Sequence, residues 1–284
     1  MTDRKGLFRQ AVAAAVELRD KTGFDQFGPA DPYLAAQKLG VKVLFLDVSM
    51  EGFYFKGAAP RILLSALRPL PRRAFTCAHE LGHHHFGHGS TMDQLQADER
   101  ADSNKPEEIL ANGVASFFLM PTVGLRGAFA RRGWSIAKPT PLQLYTVACE
   151  FGVGYDTLLN HLSYTLKEIG SAHTAELDRW APQRIRQQLL KDDFDSFVVV
   201  DAESLAQHYD VEQGAAIILP LDVDVEGRAL EHLGSYTNFD LYGAVKRGKA
   251  TASWGKKVCT IRVQPKAYVG AAVNRFEEDP DEDD

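Results

Sequence analysis

The 284-residue chain reads as an α+β protein, and three features of its sequence predict that class. Two stretches, one running up to residues 79–83 and one over 106–120, repeat apolar residues at helical spacing. Short runs rich in β-branched and aromatic residues stand in two groups, at 41–46, 52–55 and 61–65, and again at 197–200, 216–219 and 258–263. Between the groups lies a helical interval over 123–169. The expected division is an N-terminal domain with a small sheet and two principal helices over 1–121 and a helical module over 122–170. A linker or connecting helix follows over 171–194, then a C-terminal α/β domain over 195–276 and an acidic tail over 277–284. With 45% hydrophobic residues the chain has ample material for packed cores.

Near the N-terminus, Leu7, Ala11, Ala14 and Leu18 share one helix face, and Glu17, Arg19, Asp20 and Lys21 break the apolar run, so this is an amphipathic helix and not a signal peptide. Asp31-Pro32 is a helix start, with Asp31 as N-cap and Pro32 in the first turn; the helix stops at Gly40. The second and third strands are joined across Gly57-Ala58-Ala59-Pro60 in the manner of a hairpin. Tyr54, on the second strand, reads as a packing residue, with oxyanion stabilisation as the alternative. An exposed strand of this sheet could hold an extended peptide by main-chain hydrogen bonds.

The next helix, supported by the spacing of Ala74, Phe75, Ala78 and Leu81, carries His79-Glu80-Leu81-Gly82-His83, the H-E-x-x-H pattern of zinc peptidases. Residues four apart lie on one helix face, so His79 and His83 can grip one metal ion. Glu80 points about 100° away from His79 and is placed to serve as general base. A catalytic zinc takes three protein ligands and keeps a position for water, so a third ligand is required. His84, His85 and His88 are in the wrong register for the extended H-E-x-x-H-x-x-G-x-x-H pattern, since Phe86 and Gly89 stand where glycine and histidine belong. These three read as partly exposed side chains near a helix end. The helix over 106–120, bounded by Pro106 and Pro121, supplies Glu107 and Glu108.

Here the sequence resembles the ImmA/IrrE metallo-endopeptidases. The similarity is carried by Phe75-Thr76-Cys77-Ala78-His79-Glu80-Leu81-Gly82-His83 and by the run from Glu108 through Asn112, Ala115 and Leu119 to Met120-Pro121, which follows the family's E-x-x-x-N-x-x-A-x-x-L-L-M-P. The resemblance spans roughly residues 30–165. It implies a zincin-like metalloprotease domain with His79, His83 and Glu108 as zinc ligands and Glu80 as base. Glu108, Asn112 and Ala115 share a helix face, which agrees with that choice over Glu107. The family further implies a helix-turn-helix transcriptional repressor as the protein substrate.

Residues 89–105 are polar and read as a surface loop or a mobile rim linking the two helices. The stretch Ala148-Cys149-Glu150-Phe151-Gly152-Val153, with Leu158 and Leu162, has helix-turn-helix spacing. Its candidate recognition helix, 155–163, contains no Arg or Lys, so direct DNA binding is not expected; Arg126, Arg131 and Arg132 could form a modest basic patch. In the C-terminal domain a short helix is expected over 202–209 between strands. Family members can carry a sensor-like domain here, but no ligand motif is legible.

The formal net charge of −6 comes from the acidic end, where seven of the last eight residues are Asp or Glu; without them the remainder sums to +1. The tail is expected to be solvated and disordered, and bulk charge gives no nucleic-acid footprint. Three widely spaced cysteines, Cys77, Cys149 and Cys259, imply no disulfide framework. No run of about 18 apolar residues suggests a membrane span, so a cytoplasmic protein is expected. There is no phosphate-binding glycine loop, nucleophile elbow or internal repeat. The sequence thus predicts a Zn2+-dependent endopeptidase, with Mn2+ a possible substitute in assays, and the family resemblance implies that it cleaves a repressor to induce stress-response or mobile-element genes. The alternative is a non-proteolytic regulator binding a repressor or DNA, with zinc structural or absent.

Overall fold

The computed structural model describes residues 4–89, 91–93, 105–190 and 194–278. The chain forms two compact units, Met1–Gly124 with Ala267–Asn274, and Leu125–Lys266 with Arg275–Asp284.

The first unit contains α1 (Arg4–Thr22), α2 (Pro32–Lys38), β1 (Lys42–Leu46), β2 (Gly52–Phe55), β3 (Arg61–Ser65), α3 (Leu70–His85), β4 (Thr91–Asp93) and α4 (Pro106–Leu119). Asp31 accepts the amides of Tyr33 and Leu34 at 2.9 and 3.0 Å, which starts α2 where the Asp-Pro pair predicts. The sheet runs β13-β1-β3-β2-β4, where β13 is Gly270–Ala271 returning from far along the chain. β1 and β3 are parallel, β2 and β3 form the expected antiparallel hairpin, and β13 lies antiparallel to β1 through Leu44 and Phe45. Phe45, Ile62 and Leu64 point into the core from the sheet; Cys77, Ala78 and Leu81 meet it from α3.

Two glycines set how closely the helices approach. A Cβ at Gly82 on α3 would stand 2.9 Å from Ala111 Cα on α4, and one at Gly113 on α4 would stand 2.6 Å from Ala11 Cβ on α1. Neither position tolerates a side chain without the helices parting. Arg19, fully buried, donates to the carbonyls of Asp25 (2.6 Å), Gly28 (2.5 Å) and Phe118, fixing the loop after α1 and the end of α4. Burial lowers its guanidinium to about 10, still charged at neutral pH.

α5 (Thr122–Arg131) contains the boundary between the units. The second unit continues with α6 (Pro141–Glu150) and α7 (Tyr155–Asn160), a π-helical turn (His161–Thr165), and α8 (Ser171–Leu177) and α9 (Pro182–Leu189) within the expected linker. Thr140 and Gln143 form a reciprocal capping box ahead of α6. Eight strands follow: β5 (Phe197–Val199), β6 (His208–Glu212), β7 (Ala216–Leu219), β8 (Asp224–Glu226), β9 (Leu230–Ser235), β10 (Asp240–Ala244), β11 (Gly248–Trp254) and β12 (Lys257–Gln264). They make two four-stranded sheets, β5-β7-β10-β9 and β6-β12-β11-β8, sharing a core of Tyr209, Val211, Ile217, Leu219, Ala252, Ile261 and Val263.

Two expectations are corrected. The helix expected over 202–209 is a turn that runs into β6, so this part of the chain is β-structured rather than α/β. Its amides are taken by side chains: Asp201 accepts from Glu203 N, Ser204 Oγ from Ala206 N and Glu150 from Leu205 N, which diverts the backbone from a helical ladder. One helical stretch, Pro106–Arg131, is also long and apolar enough by composition to cross a membrane, contrary to the sequence reading. It is interrupted between Leu119 and Thr122, and most of it is buried inside the protein.

Candidate metal centre

α3 and α4 carry the predicted donors to one place. His79 and His83 lie one turn apart on α3, 6% and 0% exposed. Glu108 stands in the first turn of α4, where a carboxylate also suits the helix dipole. Its neighbour Glu107 is exposed, whereas Glu108 is partly buried beside both imidazoles. The two Nε2 atoms are 3.0 Å apart; Glu108 Oε2 is 3.3 Å from His79 Nε2 and Oε1 is 3.5 Å from His83 Nε2. Donors sharing one tetrahedral ion at bonds of ~2.0–2.2 Å stand about 3.3–3.6 Å apart; the two carboxylate–imidazole distances lie in that range and the Nε2 pair is closer, and the two-nitrogen, one-carboxylate set suits a divalent metal. Among the described residues, no other group of His, Cys, Asp and Glu converges in this way.

The remaining ring nitrogens are held. His79 Nδ1 lies 3.1 Å from Asn112 Oδ1, one helical turn after Glu108, and His83 Nδ1 lies 2.8 Å from His88 Nδ1. Such outer contacts fix the tautomer and ring direction of a ligating histidine. Burial tends to raise the Glu108 carboxyl, but hydrogen bonds and charge from His79 and His83 outweigh it and hold the group well below the usual carboxylate range. It is therefore anionic across the working pH range.

Glu80 is fully buried on the next face of α3 and is not one of the converging donors. β2 passes directly over it: a Cβ at Gly52 would stand 2.8 Å from Glu80 Oε1 and 2.5 Å from Thr76 Cγ2. Glycine at 52 lets the strand and the carboxylate occupy adjacent space. Tyr54 is 2% exposed, and its hydroxyl is hydrogen-bonded to His84 Nδ1 at 2.8 Å, so the packing role describes it. His85 lies 3.8 Å from Glu17. Burial lowers the affinity of His88 for a second proton. Sequence reasoning passed over His88 as a helix-end side chain; the signal available was Gly87 directly before it, a helix-terminating glycine.

The loop expected as a rim falls largely on residues 94–104, outside the described residues. In the helical module the basic patch is consumed by acids: Arg126 pairs with Glu168 at 2.6 Å, Arg131 with Glu150 at 2.8 Å, and Arg132 with Glu150 at 2.7 Å and Asp201 at 2.6 Å. The candidate recognition helix α7 buries Tyr155, Leu158 and Leu159 and exposes Asp156 and Asn160, a poor surface for phosphates. Cys77, Cys149 and Cys259 are all free thiols.

Residues 36–163 match the Peptidase_M78 family, described as the IrrE N-terminal-like domain. No curated protein matches the chain. Among solved structures, one described as a Mycobacterium tuberculosis transcriptional regulator is similar at 18% identity and a TM-score of 0.35, over 57% of this chain. The chain spans about half of that structure, 52% of its length.

Proposed function

We propose, from the match of residues 36–163 to the IrrE N-terminal-like peptidase family, that the protein is a zinc-dependent endopeptidase. The observation that carries the proposal is the convergence of His79, His83 and Glu108 beside a buried Glu80 that is left out of the donor set. A structural metal site has no use for such a carboxylate; a hydrolase does. The metal ligands lie in the unit formed by Met1–Gly124 and the returning segment Ala267–Asn274, while the family match runs on to residue 163 in the helical module; the rest of the helical module and the β-structured region serve as regulatory or scaffolding parts. The substrate class inferred from the family resemblance is a helix-turn-helix repressor in the cytoplasm, where narrow specificity protects other proteins from digestion.

Zinc, held by His79, His83 and Glu108, would supply Lewis acidity toward a peptide carbonyl and a water molecule. Asn112 and His88 keep the two imidazoles turned toward the shared point. Glu80 accepts a proton from the attacking water and delivers it to the leaving amine, so the carboxylate is regenerated in each cycle. β4 pairs with β2 from Gly52 to Tyr54 and forms the last strand of the sheet, and its outer edge is one against which an extended peptide can pair.

Glu80→Gln is the decisive variant. It should retain zinc and fold while turnover of a repressor substrate drops by about 10²- to 10⁴-fold, the range for loss of a general base. Equal release of the repressor from DNA by wild type and Glu80→Gln, with no cut chain in either, would replace hydrolysis by sequestration.

A further inference from the structure

The end of α3 is a Schellman turn. Phe86 caps the helix and Gly87 follows at φ +67°. The Gly87 amide then donates to the His84 carbonyl at 3.1 Å, and the His88 amide to the His83 carbonyl at 3.0 Å. In this turn the residue after the glycine folds back onto the residue one turn earlier, and the contact between them is ordinarily apolar. Here it joins two imidazoles, with Nδ1 atoms 2.8 Å apart and ring centroids 5.0 Å apart. Phe86 stacks on the outer histidine at 5.6 Å and 18°, which fixes the plane of that ring.

A neutral imidazole carries one N–H and one lone pair. His83 Nε2 faces His79 and Glu108, so a metal there needs the Nε2 lone pair, and the ring proton must sit on Nδ1. That proton needs an acceptor at Nδ1, and His88 Nδ1 is the atom in place. We propose that His88 is a positioning residue, which accepts the Nδ1–H of His83 and so fixes its tautomer and ring direction. The helix cap, through Gly87, delivers it there. The inference rests on the metallopeptidase reading for its purpose, but the tautomer itself is measurable without metal.

The test uses the full chain as wild type, His88→Phe and His88→Asn. Phenylalanine keeps the stack on Phe86 and removes the acceptor; asparagine restores an acceptor close to the Nδ1 position. Zinc affinity, read by competition with a chromophoric chelator, should fall about ten- to a hundred-fold in His88→Phe and recover in His88→Asn. In metal-free protein, nitrogen-15 spectra of the imidazoles should show His83 as the Nδ1–H tautomer in wild type and His88→Asn and as a mixture in His88→Phe. Unchanged zinc affinity and tautomer in folded His88→Phe, or a His88→Asn no better than His88→Phe, overturns the role. Should His88→Phe not fold, His88→Gln, which shifts the acceptor outward by one bond, takes its place with the same expectations. A wild type that binds no zinc refutes the peptidase proposal, and the metal-free tautomer comparison then decides the role of His88 alone.

Discussion

Glu108 and Glu150 are both carboxylates set among nitrogen-bearing side chains, and the difference between them separates a site from a brace. Glu150 is 2% exposed, and what surrounds it are donors: Arg131 at 2.8 Å and the Leu205 amide at 3.0 Å on one oxygen, Arg132 at 2.7 Å on the other. Arg132 is satisfied in turn by Asp201 and by the Ala128 carbonyl. The network closes on itself and ties α5 and α6 to the turn before β6. Glu108 instead faces two Nε2 atoms whose rings are held from behind by Asn112 and His88. With the ring protons on Nδ1 and none on Nε2, the facing atoms of the three side chains are all acceptors, and only a cation, proton or metal, completes them. Convergent acceptors mark chemistry; a carboxylate surrounded by cationic and amide donors marks architecture.

Removing each carboxylate should therefore have opposite consequences, and these are the largest effects expected. Glu108→Ala should abolish stoichiometric zinc by elemental analysis, because two ligands hold zinc poorly, while circular dichroism stays that of a folded protein. Glu107→Ala should keep the metal. Glu150→Ala should leave zinc binding intact in whatever folds but cost about 3–5 kcal/mol in urea unfolding, since two arginines lose their buried partner. A Glu150 variant of normal stability, or a zinc-replete Glu108→Ala, would erase the distinction.

A smaller effect sharpens it from the catalytic side. Gly52→Ala should push on Glu80 and Thr76 without touching the ligands, so zinc content should hold while turnover falls by about 100-fold, the scale of a 1 Å misplacement of a catalytic group. Wild-type kinetics in Gly52→Ala would mean that the strand yields and the carboxylate does not depend on it. The least effect belongs to Arg126→Ala. Its side chain is 63% exposed, and its pair with Glu168 should contribute no more than about 1 kcal/mol, against several for the buried arginine pairs, by the same urea measurement.

How much of this was legible in the sequence follows from the range of the interactions. His79, Glu80 and His83 are related by one helical turn, and helical spacing alone predicts their common helix. Choosing Glu108 over Glu107 took the family resemblance as well as the shared face with Asn112; in the structure the same choice is visible in burial. The hairpin of β2 and β3 and the start of α2 follow from local turn and cap residues. The stretch 202–209 misled because helix-compatible residues there lose an amide to Glu150, some fifty positions away, which no local pattern reveals. β13 was invisible for a related reason: a two-residue strand has no periodicity, and it exists because β1 offers an edge. His88 had a local signal, the glycine before it, whose geometric meaning appears once the helix is seen to end there.

The return of residues 267–274 to the first sheet carries a consequence for how the protein is made. β1 gains its outer neighbour from a segment that leaves the ribosome after Leu125–Lys266, the larger part of the second unit, so the N-terminal sheet cannot be completed during its own synthesis. Until then the nascent chain presents β1 as a bare edge, open to pairing with other strands. A fragment ending at Gly124 would keep the metal ligands and remain in that unfinished state. Completion of the sheet thus reports that translation has passed through the larger part of the second unit.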